Sequence, residues 1–225
     1  MILATQVDAK ECVILLHGLA RSDSSMKKLA QSLDDAGYLI VNVKYPSTKF
    51  KVRSLAKSTI TNAVAECPEH SKINFVTHSM GGILVRQYLQ ENAVHNMGRV
   101  VMLGPPNKGS QVVDNLSKMP GFKFINGPAG MELGTKNESV PNTLGSANFE
   151  LGIIAGTRSI NPILSFMLPG LDDGKVSVEN TKLKGMVDHI ALPVTHTFMM
   201  NNKDVIFQVK YFLANGFFDK KHNLT

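Results

Sequence analysis

The chain has 225 residues, of which 43% are hydrophobic and 19% charged, a composition typical of globular proteins and too apolar for a disordered chain. A chain of this length fits one domain, so we expect a single domain over residues 1–225. The net charge of +6 comes from Lys and Arg residues spread along the chain, without the basic runs and interleaved aromatic residues of nucleic-acid binders, and we therefore expect no nucleic-acid partner.

Targeting signals and cysteines indicate the cellular compartment of a protein. No segment approaches the roughly 18 consecutive apolar residues of a membrane helix, and residues 1–9 lack the basic start and long apolar middle of a signal peptide. The sequence as written predicts a soluble cytoplasmic protein, or a periplasmic or secreted one if an export signal has been removed. Cys12 and Cys67 match no CxxC motif, so two buried thiols and a disulfide in an exported protein both stay open.

Short aliphatic and β-branched runs alternate along the chain with segments of helical spacing. The predicted strands are residues 12–16, 38–43, 73–77, 99–103, 151–155 and 186–192. The predicted helices are residues 22–36, ending at a Gly37 cap, 52–66, 81–92, 110–119 and 205–214. This alternation predicts an α/β fold with a mostly parallel central sheet and helices on both faces.

Residues 104–150 interrupt the alternation. Gly, Pro, Asn and Ser are frequent there, and only Ser110 to Met119 has helical spacing. We therefore predict a loop-rich excursion from the domain, and long loops in compact domains are often functional.

Ser79 lies where a predicted strand meets a predicted helix, in the segment Thr77-His78-Ser79-Met80-Gly81-Gly82. This is the context of a nucleophile elbow, a tight turn that lifts a serine hydroxyl out of the sheet beside the N-terminus of a helix. Thr77 replaces the first Gly of the usual Gly-x-Ser-x-Gly pattern, so the geometry of the turn must be relaxed nearby. The alternative is a plain strand-to-helix turn in which Ser79 only caps the helix.

A second segment, His17-Gly18-Leu19, follows the first confident strand. Acyl transfer passes through an oxyanion that needs at least two hydrogen-bond donors. In an enzyme with a nucleophile elbow, one donor is the N–H after the nucleophile, here Met80, and the other comes from the loop after an early strand. We predict Leu19 for the second donor and interpret His17 as a packed residue that shapes this loop.

The base and its acid must follow the nucleophile in the order Ser, Asp or Glu, then His. Of the later histidines His196 lies in a loop between the last strand and the last helix, where the base is expected. The alternatives fit less well: His95 comes too early, His189 is inside an apolar run, and His222 is in a polar tail. Between the fifth strand and His196, the neighbouring residues Asp172 and Asp173 are both candidates for the acid.

These segments carry a family resemblance. Leu15-Leu16-His17-Gly18-Leu19 and Thr77 to Gly82 resemble bacterial triacylglycerol lipases and esterases and the GPI inositol-deacylase-like lipases, all of the α/β-hydrolase superfamily. The segment Gly104 to Ser110 resembles their Thr-Pro-His-x-Gly-Ser segment in part, with Asn107 in place of His. The resemblance covers about residues 12–212.

The resemblance implies an α/β-hydrolase fold and a carboxylester hydrolase, a lipase or esterase, that works through an acyl-enzyme without cofactor or metal. In these lipases the Asp directly before a Gly is the acid, which implies Asp173 and leaves Asp172 as the alternative. The expected triad is Ser79, His196 and Asp173. The expected substrate is a small-molecule ester or lipid, and transient contact with lipid surfaces and the oligomeric state stay open.

Competing functions remain at this point. A thioesterase or an acyltransferase would use the same scaffold, and a non-catalytic protein would bind a lipid or partner in the former active site. No nucleotide-binding or zinc motif is present, and no ligands for a structural calcium can be named. The apolar residues of the excursion, with Phe166, Met167 and Leu168, are expected either to bind an acyl chain or form a partial lid, or to cover the edge of the sheet.

Overall fold

A single parallel sheet forms the centre of the protein in the computed structural model, which describes residues 10–222. Within these residues the sheet has six strands in the order β2-β1-β3-β4-β5-β6, and every neighbouring pair is parallel. The strands are β1 (Cys12–Leu16), β2 (Leu39–Val43), β3 (Ile73–His78), β4 (Met97–Leu103), β5 (Leu151–Gly156) and β6 (Asp188–Leu192). The predicted α/β class with a parallel sheet is confirmed, and the predicted strands are all present with ends shifted by up to two residues.

Helices cover both faces of this sheet, because its central strands are apolar on both sides. In β1, Cys12, Ile14 and Leu16 face one core while Val13 and Leu15 face the other. The larger helices are α1 (Lys27–Asp34), α2 (Val52–Glu66), α3 (Met80–Glu91) and α9 (Lys203–Asn215). Residues of α2 and α3 pack in the first core, and residues of α1 and α9 in the second.

The first predicted helix is divided in the structure. A 3₁₀ turn over Asp23–Met26 precedes α1, so the regular helix is shorter than the predicted 22–36. Gly37 has a φ of +94° and its N–H donates to the carbonyl of Asp34 at 2.8 Å, which ends the helix as predicted. No helix within residues 10–222 is both long and apolar enough to cross a membrane.

The excursion contains more helix than the sequence predicted. Three helices lie in it: α4 (Gln111–Leu116), α5 (Phe122–Met131) and α6 (Val140–Thr143). Only α4 was expected, and the description of residues 104–150 as loop-rich was wrong for α5. The reason is the kink inside α5, where Gly127 has a φ of +64° before Pro128 and breaks the helical periodicity. Two further short helices follow β5: α7 (Pro162–Phe166) and α8 (Val178–Thr181).

Arg86 anchors the excursion to helix α3. Its guanidinium is buried, and its two terminal nitrogens donate to the backbone carbonyls of Asn107, Pro141, Leu144 and Gly145 at 2.9–3.2 Å. Burial lowers its pKa to about 10. Both ends of the excursion are therefore held by one buried cation.

The two cysteines form a disulfide. Cys12 at the start of β1 is bonded to Cys67 at the end of α2, and their Cα atoms are 5.9 Å apart. Of the two alternatives left open by the sequence, the structure contains the disulfide, which joins β1 to a helix of the first core.

Candidate active site

The candidate site lies at the carboxyl ends of β1 and β3. These strands are neighbours, but the chain runs outward from β1 to β2 before it returns to β3 on the other side. Open parallel sheets bind ligands at such a switch in strand order, outside the carboxyl ends of the strands. The loops that begin after Leu16 and after His78 meet there.

Ser79 occupies a sharp turn between β3 and α3. Its φ of +53° and ψ of −121° are unfavourable for a residue with a side chain, and such strain is common at nucleophile elbows. The turn is held in place by the Ser79 N–H, which donates to the carbonyl of Leu103 at 2.8 Å. Because α3 begins at Met80, Ser79 lies at the positive end of that helix.

The structure shows how the turn accommodates Thr77 in place of glycine. Thr77 is a buried, extended residue of β3, and the close approaches of the turn occur at other glycines. A Cβ on Gly18 would lie 2.8 Å from Nδ1 of His78, and one on Gly81 would lie 2.7 Å from the carbonyl oxygen of Leu16. Thr77 was expected to require relaxed geometry near the turn, and Gly18 and Gly81 supply it.

His196 joins the serine to a carboxylate. Its Nε2 lies 3.0 Å from the Ser79 hydroxyl oxygen, and its Nδ1 lies 2.7 Å from Oδ2 of Asp173. His196 and Asp173 are both buried. The other carboxylate oxygen of Asp173 accepts from the backbone N–H groups of Lys175 and Val176 at 3.0 and 2.9 Å, which fixes the carboxylate toward the imidazole.

The structure distinguishes the two neighbouring aspartates. Asp172 faces away from the histidine, and its Oδ1 accepts from the N–H of Gly174 and the hydroxyl of Ser165, each at 2.7 Å. These bonds shape the turn that carries Asp173. The structure therefore brings Asp173, rather than Asp172, to His196.

Gly104 was not singled out as a site residue from the sequence. It follows β4 with a φ of +54°, and a Cβ on it would lie 2.9 Å from Oδ2 of Asp173 and 3.1 Å from Nδ1 of His196. The backbone at this position therefore lies directly behind the carboxylate–imidazole pair. The turn signal Gly104-Pro105-Pro106 was visible in the sequence, but the contact is tertiary and had no local signal.

The two predicted oxyanion donors lie beside the serine. Met80 is the first residue of α3, so its N–H has no acceptor within the helix. The N–H of Leu19 donates no hydrogen bond within the described part of the chain, whereas the next N–H, that of Ala20, donates to the Ser47 hydroxyl at 3.1 Å. Leu19 and Met80 thus leave two donors free near the nucleophile.

Two other histidines support the site. His17 stacks on Tyr45 with ring centroids 4.0 Å apart, the packed position expected for it. His78, buried beside Ser79, has Nε2 at 2.9 Å from the carbonyl oxygen of His196, so its N–H donates there. Burial, and then the nearby His196, lower the pKa of His78 well below its usual value, which keeps its ring neutral. The sequence named His78 only as part of the elbow and missed its contact with the histidine loop.

A pocket of about 310 Å³ opens on the serine. Its walls include apolar side chains of the excursion: Val112, Val113, Leu116, Phe122, Ile125 and Leu133. Phe166, Met167 and Leu168, for which the sequence left open an acyl-binding or lid role and a role at the edge of the sheet, do not line this pocket: Leu164 of the same segment lines it, Leu168 is buried, and Phe166 is 94% exposed. In residues 10–222 no group of His, Cys, Asp and Glu side chains could hold a metal ion.

Comparison with known proteins places the chain in a family. The model of the palmitoyl protein thioesterase family matches residues 12–149, which is more than half of the chain and includes Ser79. The chain belongs to this family. No curated protein sequence matches the chain.

Solved structures of the same fold include lipases and esterases. Lipase BlEst2 of Bacillus licheniformis in its mature form has a TM-score of 0.72 and 19% identity, over 92% of both chains. Lipase B of Aspergillus fumigatus has a TM-score of 0.68 and 15% identity, over 96% of this chain and 56% of its own. A metagenomic carboxyl esterase has a TM-score of 0.63 and 18% identity, over 87% of this chain and 67% of its own.

The predicted α/β-hydrolase fold and superfamily are confirmed by these matches. This palmitoyl protein thioesterase family member is a hydrolase of the lipase, esterase and thioesterase kind. The family itself differs from the lipases named from the sequence, since its name corresponds to the thioesterase alternative.

Proposed function

We propose that this family member is a serine carboxylester hydrolase that acts through an acyl-enzyme. The proposal is carried by one observation, the hydrogen-bonded row from Ser79 through His196 to Asp173, with separations of 3.0 and 2.7 Å. The strained backbone of Ser79 adds support, because it exposes the hydroxyl at the floor of the pocket.

In the proposed mechanism Ser79 attacks the ester carbonyl while Nε2 of His196 takes the serine proton. The N–H groups of Leu19 and Met80 stabilise the oxyanion that forms. His196 then passes its proton to the leaving alcohol, and Asp173 stabilises the imidazolium and holds its tautomer. Water, activated by the same histidine, releases the acid and restores the serine.

Hydrolysis of a nitrophenyl ester by Ser79→Ala tests this proposal. We expect kcat/KM to fall by about a thousandfold or more, because the nucleophile is lost. Ser58→Ala is a matched control, since Ser58 is an exposed residue of α2 whose hydroxyl bonds only the local backbone. A Ser79→Ala protein with the rate of the parent would contradict the assignment of Ser79 as nucleophile, and a parent protein without measurable hydrolysis would favour a non-catalytic binding protein.

A second candidate is a thioesterase, which the family match favours. The same residues would act, because attack on a thioester also requires a nucleophile, a base and an oxyanion site. Rates on an oxygen ester and a thioester with the same acyl chain and matched leaving groups decide between the two. A kcat/KM at least about tenfold higher for the thioester, a difference near 1.4 kcal/mol in transition-state binding, would assign the thioesterase. Product analysis with added alcohol would reveal an acyltransferase.

We propose that the apolar wall from α4 and α5 holds the acyl chain, since its apolar side chains line the pocket that opens on Ser79. Outside this wall, Phe124 and Phe166 are 92% and 94% exposed and Ile163 is 70% exposed. They follow or flank the pocket residues Phe122 and Leu164. This apolar rim supports transient contact with lipid surfaces, which a sedimentation assay with vesicles and a Phe124→Ser/Phe166→Ser variant would test.

The disulfide supports an oxidising compartment, such as the periplasm or the extracellular space, because cytosolic proteins rarely keep such bonds. Intact mass after alkylation of the protein from its native cells tests this point. We expect no alkylation of Cys12 and Cys67 without prior reduction. Alkylation of both thiols in the unreduced protein would instead favour the cytoplasm.

A further inference from the structure

Two cationic side chains line the same pocket as the serine. Arg21 lies two residues after Leu19 in the loop that follows β1, and Lys175 lies two residues after Asp173. They therefore come from the two loops that supply the oxyanion donor and the acid. The proposed mechanism uses neither side chain.

Neither cation is neutralised by an ion pair in the part of the chain that the structure describes. The only hydrogen bond of the Arg21 guanidinium there is to the carbonyl of Thr197, at 3.5 Å. Burial lowers the pKa of Lys175, the neighbouring Arg21 lowers it further, and Asp173 partly offsets both effects. Asp173 is itself committed to His196 and to two backbone N–H groups.

The charges of Arg21 and Lys175 reach the buried residues beside the nucleophile. Arg21 and Lys175 both contribute to the lowered pKa of His78, after burial and His196, so both lie within electrostatic reach of the residue next to Ser79. Arg21 is half-buried and Lys175 is exposed, and both line the same pocket, so their mutual repulsion is offset when an anion binds between them. This arrangement is therefore complementary to a ligand that brings negative charge.

The rest of the pocket is apolar, so the ligand that fits it has two unlike parts. The apolar wall from α4 and α5 suits the acyl chain of an ester, and an acyl chain carries no charge. The anion must then belong to the other part of the substrate, the alcohol or thiol that leaves. A phosphate carries a charge of about −1.5 to −2 near neutral pH, which matches two cations better than a single carboxylate does.

Resting on the hydrolase function proposed above, we propose that the pocket takes acyl esters or thioesters whose leaving group carries a phosphate, and that Arg21 and Lys175 bind that phosphate. The two residues determine specificity and do not take part in bond breaking. Because Arg21 presents a fork of donors and Lys175 a single ammonium, both can bind different oxygens of one phosphate.

Two matched pairs of substrates test the proposal. The first pair is a 1-acylglycerol 3-phosphate and the 1-acylglycerol with the same short acyl chain, both kept monomeric. The second pair is the acyl thioester of phosphopantetheine and that of pantetheine. We expect the phosphorylated member of at least one pair to have a kcat/KM about tenfold higher or more, the effect of one or two hydrogen bonds to a charged group. The pair that shows the preference identifies the source of the phosphate.

Variants assign the preference to the two residues. Arg21→Gln and Lys175→Gln should each reduce the ratio of phosphorylated to neutral kcat/KM by about threefold to tenfold, and Lys175→Arg should retain most of it. Lys57→Gln removes a charge from an exposed position of α2 and should leave the ratio unchanged. Added salt should lower the ratio in the parent protein, because screening weakens the attraction.

Equal rates within both pairs, or a preference that survives in both glutamine variants, would overturn the proposal while leaving the hydrolase function intact. Failure of the hydrolase function has a different signature: neither member of either pair is cleaved, and a fluorophosphonate does not label Ser79. That result would overturn both proposals.

Discussion

His196 is bound to Asp173 twice. Its backbone N–H donates to the Asp173 carbonyl at 2.9 Å, and its ring Nδ1–H donates to the Asp173 carboxylate at 2.7 Å. The first bond joins backbone atoms, so it aligns the loop of Asp173 with the loop of His196 independently of the side chains. The orientation of the imidazole is therefore part of the fold, and it is in place before a substrate binds.

The neighbouring aspartates should respond differently to loss of charge. Asp173→Asn should lower kcat by about 10³- to 10⁴-fold, because the imidazole would lose the acceptor that fixes its tautomer. Asp172→Asn should lower kcat by less than about tenfold and the free energy of unfolding by about 1 kcal/mol, since only turn bonds are weakened. Ester kinetics and urea denaturation of both variants measure these effects. Equal losses of kcat would contradict the assignment of the acid.

Gly104→Ala should displace the hydrogen-bonded side chains of Asp173 and His196. Its Cβ would lie 2.9 Å from Oδ2 of Asp173, and displacing the carboxylate by a fraction of an ångström should lower kcat by about a hundredfold.

Gly170→Ala is the matched control for that substitution, because Gly170 also has a positive φ, +70°, but nothing lies within 4 Å of its Cβ position. Both variants should lose about 1 kcal/mol of stability from backbone strain. Only Gly104→Ala should lose activity, and an equal loss in both would mean that strain, rather than the collision, is responsible.

Arg86 should be a major source of stability for the excursion. Arg86→Met leaves several buried carbonyls of the excursion without a donor, and we expect the free energy of unfolding to fall by about 3 kcal/mol. Arg53→Met is a suitable control, because Arg53 forms an exposed ion pair with Glu91 that should contribute about 0–1 kcal/mol. Urea denaturation of both variants gives the comparison. A loss below 1 kcal/mol for Arg86→Met would contradict the anchoring role.

Stability should decrease in mild acid. Burial lowers the pKa of His17, His78 and His189 below the usual value of 6.5, so below that pH the unfolded chain binds protons that the folded chain does not. The stabilisation from these neutral rings is complete above pH 6.5 and is lost as the pH falls from there. Each ring contributes a slope of at most about 1.4 kcal/mol per pH unit.

Denaturant unfolding between about pH 5 and about pH 7 measures this slope. His78→Gln should reduce it, because glutamine can still donate to the carbonyl of His196 but does not titrate. His95→Gln, at an exposed position, serves as the control. A slope that is the same in the parent and in His78→Gln would show that His78 does not cause the pH dependence.

Local sequence patterns predicted the elements and the positions of Ser79 and His196, because strand-to-helix turns and loops at strand ends have local signals. They left Asp172 and Asp173 both open as acids, and only the resemblance favoured one. The reason is physical: two adjacent side chains in a turn point in different directions, and the choice depends on bonds such as that from Ser165 to Asp172. Helix α5 was missed because Gly127 and Pro128 break its periodicity. The Arg86 anchor and the position of Gly104 behind the Asp173–His196 pair depend on contacts between distant segments, which no local periodicity records.

Chemical labelling of the nucleophile tests the central claim most directly. The protein is treated with a fluorophosphonate, and the modified peptide is located by mass spectrometry in the parent and in Ser79→Ala. We predict one phosphonyl adduct, on Ser79, formed together with loss of ester hydrolysis and absent from the variant. An unlabelled parent that still hydrolyses esters, or an adduct on another residue that abolishes hydrolysis, would contradict the account.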